Sequence, residues 1–386
     1  MAHVKLYKYF STTNGNKALK NNRRQFLAAL SSSLIPYPSV ANDTQGFDPE
    51  VGKRLIVGFN GTQPDDPEVK YLKKLISSDK IAGILILNRN IVNFDQLKKL
   101  ITSLQAQSNE LPLIVGVDQE GGRVARLGAK NGFKPWASAE YISKSGLTEA
   151  EILDYYTERA EELYEVGINL NFAPVVDLNT NPNNPIIGSL GRSFGLDANL
   201  VTKYSQLFIK AHHIFGIHCC LKHFPGHGSS ETDTHKEFSD INENWSPEEL
   251  IPYELLIKEN LADTIMMSHV IHTEFSDQPW IPASLSKRAR NHLRKVLGFN
   301  LPIISDDLQM NAISSLVDPI EASTIVSNAG STFLIYSNYK KKHRLQNVDQ
   351  IIKFVEDANL RGLLDKDVFL EETKIANDFR QSLNQN

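Results

Sequence analysis

The run "GIHCCLKHFPGHGSSETDTHKE", residues 216–237, decides how this chain folds. Its first half is a continuous apolar stretch ending in a polar pair, Lys222-His223, the pattern of a strand buried on both faces of a parallel sheet. Pro225, Gly226 and Gly228 then turn the chain off that strand into a loop ending in Asp233-Thr234-His235. Four histidines fall in these 22 residues, so the end of this strand is where chemistry is to be sought. Cys219 and Cys220 are adjacent within the strand pattern, so they point to opposite faces and do not pair with each other.

Seven more apolar runs share this character: "RLIVGF" (54–59), "AGILIL" (82–87), "LPLIVGVD" (111–118), "INLNFAPVVD" (168–177), "DTIMMSHV" (263–270), "LPIISDD" (301–307) and "STFLIYS" (331–337). Amphipathic segments lie between them. The segment 147–167 opens with Thr148 and Glu151 in capping-box spacing, carries Ile152, Tyr156, Ala160 and Leu163 on one stripe, and stops at Gly167. Ser246-Pro247 opens another helix, with proline at the first helical position. Eight strands alternating with helices predict an α/β protein with a TIM-like (β/α)8 barrel, a doubly wound open sheet being the alternative. No composition break divides the region, which reads as one catalytic domain over 42–386, with C-terminal helices at about 346–383 packed outside it.

The composition excludes some partners. The chain has 386 residues, 41% of them hydrophobic, and a net charge of −4, which gives no basic face for nucleic acid. The first 41 residues are set apart. They hold Lys5, Lys8, Lys17, Lys20, Arg23 and Arg24, and no acidic residue precedes Asp43. Paired arginines, a modest apolar run and Ser39-Val40-Ala41 resemble a twin-arginine signal peptide cleaved after Ala41, which predicts a periplasmic or secreted protein. A basic tail on a cytoplasmic enzyme is the alternative. The apolar run is too short, and too rich in serine and proline, to span a membrane.

In a barrel of this kind the chemistry gathers at the C-terminal ends of the strands. The residues there are Asp118-Gln119-Glu120-Gly121-Gly122-Arg123, Asp177, Lys222-His223, Ser268-His269 and Ser305-Asp306-Asp307. Asp233 and His235, brought together by a turn, form a proton-transfer unit, because a carboxylate on one imidazole nitrogen fixes the tautomer and raises the basicity of the other. A metal site built from His218, His223, His227 and His235 is the competing reading; no further ligand appears at the end of the first strand. Asp306 is either a hydrogen-bonded structural carboxylate or a nucleophile, with Asp307 facing the other way. Together with a histidine proton donor it fits the two-step chemistry of a retaining glycosidase.

At these residues the chain resembles a known family. "KHFPGHG" (222–228), "DTH" (233–235), "VDQEGGRVARL" (117–127) and "SDDLQM" (305–310) look like glycoside hydrolase family three, in its single-domain β-N-acetylglucosaminidase (NagZ-type) branch, over roughly 50–340. The resemblance implies Asp306 as nucleophile, His235 as acid/base on a mobile loop and Asp233 as its dyad partner. It also implies Asp118, Arg126, Arg192, Lys222 and His223 as the residues that hold the hydroxyls of N-acetylglucosamine. Arg126 could pair with Glu120 instead. Two departures stand out: Thr234 replaces a serine common in the family, and the export-like leader separates the chain from cytoplasmic recycling enzymes. The expected function is a retaining exo-β-N-acetylhexosaminidase acting on peptidoglycan-derived or chitin-type sugars, as a monomer and with no metal or organic cofactor. A phosphorylase and a catalytically silent sugar-binding barrel are the alternatives.

Overall fold

The computed structural model describes residues 47–234, 238–339, 345 and 347–383; the basic leader and His235 lie outside the described residues. Each of the eight apolar runs contributes one strand to a single parallel sheet: β1 (Leu55–Gly58), β2 (Gly83–Ile86), β3 (Ile114–Val117), β4 (Leu170–Asn171), β5 (His218–Phe224), β6 (Thr264–Met267), β7 (Ile303–Ser305) and β8 (Leu334–Tyr336). The order is β7-β6-β5-β4-β3-β2-β1-β8. Ser305 N donates to Phe333 O at 2.9 Å and Leu308 N to Ile335 O at 3.1 Å, so β7 meets β8 and the sheet closes on itself. That near-closure of the eight-stranded sheet rules out the open doubly wound alternative.

Burial on two faces explains the continuous apolar runs. Ile56, Leu85, Ile114, Leu170, Cys220, Met266, Ile304 and Ile335 form one buried cluster inside the barrel. Their neighbours Val57, Ile84, Val115, Cys219, Leu221, Ile265, Ile303 and Leu334 belong to the larger cluster packed under the surrounding helices. The two free cysteines point to opposite faces. β4 is shorter than its apolar run because Pro174 offers no N–H to the ladder. Pairing resumes only as a bridge between Val175 and Lys222.

The helix Glu149–Glu165 starts as its sequence predicts: Glu151 N donates to Thr148 Oγ1 at 3.3 Å and Thr148 N to Glu151 Oε2 at 2.8 Å. Its stripe of Ile152, Tyr156, Ala160 and Leu163 is buried against the barrel. The chain end differs from expectation. Helix Asn347–Leu360 follows β8 on the outside, but helix Lys366–Ser382 crosses the N-terminal end of the barrel and closes it. Ala376 and Phe379 join the interior cluster, and the Phe379 ring centroid lies 5.8 Å from Phe333 and 4.9 Å from His218. Arg380 donates to the carbonyls of Leu111 and Pro112, each at 3.0 Å, and the buried Glu372 carboxylate pairs with Arg294 at 2.8 Å and Arg290 at 3.1 Å. By packing here the helix buries Ala376 and Phe379 against the bottom of the barrel interior. Among the described residues no helix is long and apolar enough to cross a membrane.

Candidate active site

With one end of the barrel plugged, the other opens as a cavity of about 530 Å³. Its floor is the top of the barrel interior, including Leu85, Phe172, Met266 and Ile335. Asp118, Arg126, Arg192, Lys222, His223 and Asp306 all line it.

The wall from β3 to β5 is one continuous ionic network. Asp118 follows β3 directly, and a small hairpin, Gln119–Gly121 against Val124–Ala125, brings Arg126 back to it. The Gln119 amide holds that hairpin shut, accepting from Arg126 N at 2.7 Å and Leu127 N at 3.0 Å and donating to Leu127 O at 2.8 Å. Gly121 has φ 110°, and a Cβ there would lie 2.0 Å from Ala137 O, so the turn requires glycine. Arg126 Nη2 then reaches Asp118 Oδ2 at 3.0 Å, and Lys222 Nζ reaches Asp118 Oδ1 at 3.0 Å and Glu120 Oε1 at 2.6 Å. Arg192 grips Glu120 with two prongs, Nε to Oε2 at 2.7 Å and Nη2 to Oε1 at 2.8 Å. Arg192 Nη2 also lies 3.3 Å from His223 Nε2, while His223 Nδ1 lies 2.7 Å from Asp177 Oδ2. Because Nε2 faces a donor, the His223 hydrogen belongs on Nδ1, pointing at Asp177.

The charges in this wall balance. Arg126, Lys222 and Arg192 face Asp118, Glu120 and Asp177. Burial alone would push the carboxyls up, but Lys222 and Arg126 hold Asp118 well below the ordinary carboxylate range. Against the same burial, Arg192 and Lys222 hold Glu120 down to about 2. Asp177 is likewise lowered against burial by His223, and its Oδ1 accepts from the backbone N–H of His223 at 3.0 Å and of His227 at 2.9 Å. Burial would lower Lys222, but Glu120 and Asp118 raise it. Arg126 pairs with Asp118; Glu120 is taken by Lys222 and Arg192. The alternative Arg126–Glu120 pairing does not form, since the hairpin aims Arg126 at the residue where its own strand ends.

The opposite wall carries Asp306, at the end of β7. Its N–H donates to Met267 O at 3.2 Å and its Oδ1 accepts from Asp307 N at 2.7 Å. Asp307 turns toward β8, where Ser337 Oγ donates to it at 2.5 Å and Ser337 N at 3.2 Å. Burial raises Asp307 above the ordinary carboxylate range. Asp233 is half-buried on the loop after β5, and Thr234 beside it is buried, with Oγ1 3.2 Å from His227 Nε2 and its carbonyl accepting from Ala312 N at 3.3 Å. Burial lowers His227 to about 4, so it meets Thr234 as a neutral ring. His235, the expected acid/base, lies outside the described residues. His218 sits at the closed end of the barrel against Phe379, which separates it from His223 and His227 and breaks up the four-histidine metal set.

Glu120, Asp177 and His227 complete the site; Glu120 and Asp177 were readable as strand-end residues and His227 only as a loop histidine, without their partners. For Glu120 a signal existed. It stands two residues from Asp118, a spacing that returns a side chain to the same side of an extended segment.

Comparison with known proteins agrees with this geometry. Residues 57–362 match the model of the glycosyl hydrolase family 3 N terminal domain. The chain is 34% identical over 292 residues to a beta-hexosaminidase of Tolumonas auensis, covering 74% of this chain and 82% of that protein. It is 32% identical over 281 residues to beta-hexosaminidase A of Pseudoalteromonas piscicida, of which it spans 46%. Among solved structures, a glycoside hydrolase family 3 beta-N-acetylglucosaminidase from Paenibacillus sp. str. FPU-7 superposes with a TM-score of 0.77 at 28% identity, over 88% of this chain and 62% of that one.

Proposed function

Because the chain belongs to glycosyl hydrolase family 3, we propose that it is a retaining exo-β-N-acetylhexosaminidase that removes terminal β-linked N-acetylglucosamine. The observation that carries this reading is one blind cavity with a carboxylate, Asp306, on one wall and a charge-balanced ionic network on the other. Exo action is part of this proposal, with the closed barrel floor as the stop for the terminal sugar.

In this reading the Asp306 carboxylate attacks the anomeric carbon as the bond from that carbon to the leaving oxygen breaks, and His235, oriented by Asp233, gives that oxygen its proton. The same imidazole then takes a proton from water as the water oxygen displaces Asp306 from the sugar. Asp118 and Arg126 keep part of their side chains open to the cavity, 20% and 26% exposed, and offer an acceptor and donors to the sugar hydroxyls. Arg192, Lys222 and His223 are nearly buried, so their main service is to hold that wall rigid, with few hydrogen-bonding sites left for the sugar. The hydrolase names of the relatives favour water over phosphate as the acceptor. Peptidoglycan-derived or chitin-type fragments are the proposed source of the sugar, and the export-like leader supports a reaction outside the cytoplasm.

The test is turnover of an aryl β-N-acetylglucosaminide by the chain without its first 41 residues, beside Asp306→Ala and His235→Ala. The reading expects wild-type turnover, loss in Asp306→Ala, and a His235→Ala defect that is milder on a good leaving group. An inert wild type, or mutants equal to it, refutes the assignment; release of a sugar 1-phosphate in phosphate buffer replaces hydrolysis with phosphorolysis.

A further inference from the structure

The cavity has a second pole that the ionic network does not use. β5 lies across the barrel from β1, and β1 is flanked by β2 and β8. β1 ends in Gly58, where even a Cβ would lie 1.9 Å from Ser337 O, so the strand itself places no side chain at this position. The neighbours on either side fill the rim. Arg89, after β2, is held by Nε to Phe59 O at 2.7 Å and Nη2 to Ser337 O at 2.8 Å. Tyr339, after β8, lines the cavity while 78% exposed. Its N–H donates to Ser337 Oγ at 3.3 Å, and Ser337 Oγ in turn donates to Asp307, whose N–H donates to Asp306. Three short contacts therefore tie the backbone that carries this aromatic ring to the carboxylate, and Arg89 is anchored to the same Ser337.

An aromatic ring left open at the mouth of a polar cavity has one ready use, since the C–H face of a pyranose packs on a π-face and its hydroxyls find donors at the ring's edge. Arg89 supplies such a donor, already fixed by two carbonyls and so costing little ordering on binding. We propose that Tyr339 and Arg89 form the subsite for the leaving group and that it takes a second pyranose ring, which makes saccharides better substrates than glycosides of small alcohols. This subsite rests on the hydrolase reading above. The Asp118–Lys222 wall and the barrel floor hold the sugar that is cleaved, and Tyr339 and Arg89 hold the sugar that departs.

The experiment compares kcat/KM for N,N′-diacetylchitobiose with that for methyl β-N-acetylglucosaminide in wild type, Tyr339→Ala and Tyr339→Phe. The expected ratio of disaccharide to methyl glycoside falls roughly tenfold in Tyr339→Ala, the scale of one aromatic contact, and is retained in Tyr339→Phe, which keeps the platform. An active wild type whose ratio is unchanged by Tyr339→Ala overturns the subsite alone. A wild type inert on both sugars overturns the hydrolase reading and the subsite with it.

Discussion

Glu249 is a fully buried carboxyl with no cation beside it among the described residues, and its replacement by glutamine should stabilise the protein in a pH-dependent way. The side chain lies under the turn Gly226–Gly228, so close that a Cβ on Gly226 would come within 2.5 Å of its Oε2. It accepts from Leu178 N at 3.3 Å and from Thr180 Oγ1 at 3.5 Å. Burial first, and then the Asp177 carboxylate, push it well above the ordinary glutamate value of 4.5, and the bonds from Leu178, Thr180 and Ser229 do not offset them. The sign follows from linkage. A carboxyl whose folded value is raised favours the folded state fully below 4.5 and loses that contribution as pH rises toward the folded value. Each pH unit in that window removes about 1.4 kcal/mol. Glutamine has the same shape, keeps an oxygen for Leu178 N and does not ionise. Glu249→Gln should therefore gain on wild type by about 1.4 kcal/mol per pH unit as pH rises above 4.5. The other groups around the site, Asp177, His223, His227 and Tyr253, are common to both proteins and cancel in the difference. Urea midpoints measured at pH 5, 6 and 7 give the comparison, and a difference that stays flat across that range refutes the raised value.

Glu120→Gln should leave Arg192 and Lys222 buried without their shared counter-charge, costing about 3–5 kcal/mol in thermal unfolding; a loss below about 1 kcal/mol would mean the wall is solvated. Glu372→Ala should cost a similar amount by stranding Arg294 at the closed end of the barrel, yet leave KM unchanged, because that end is remote from the cavity. Gly228→Ala would place a Cβ 1.6 Å from Leu178 O, so it should displace the turn that leads to Asp233, with an activity loss larger than its stability loss of about 1–3 kcal/mol. Equal and small losses in both measurements would show that the turn adjusts freely.

All eight strands were legible because each is buried on both faces, which forces an apolar residue at nearly every position and leaves little for local propensity to contradict. Asp118, Lys222, His223 and Asp306 were legible as rim residues for a related reason: a charged group interrupting such a run can lie only where the strand emerges. The placement of the last helix was not legible. Its amphipathic pattern states that one face is buried without saying against what, and Phe379 meets Phe333 and His218 only once the barrel has closed. The partner of Arg126 was hidden similarly, because the choice between Asp118 and Glu120 depends on a hairpin whose shape is set by Gln119 and Gly121.

Glu249 shows where reading from the sequence stops. In the chain it stands in a helix-opening "SPEEL", where an acidic residue stabilises the first turn and invites no further comment. Only the folded chain brings Gly226 and Leu178 down onto it and turns an ordinary helix-opening glutamate into a buried acid beneath the turn that leads to Asp233. Local rules hold at that residue and still miss its environment, because the cost of burial is set by segments more than 20 and 70 residues away. A charged residue that satisfies its own helix while opposing the surface packed on it is the kind of conflict that functional sites retain. The pH series on Glu249→Gln measures how large that conflict is in this protein.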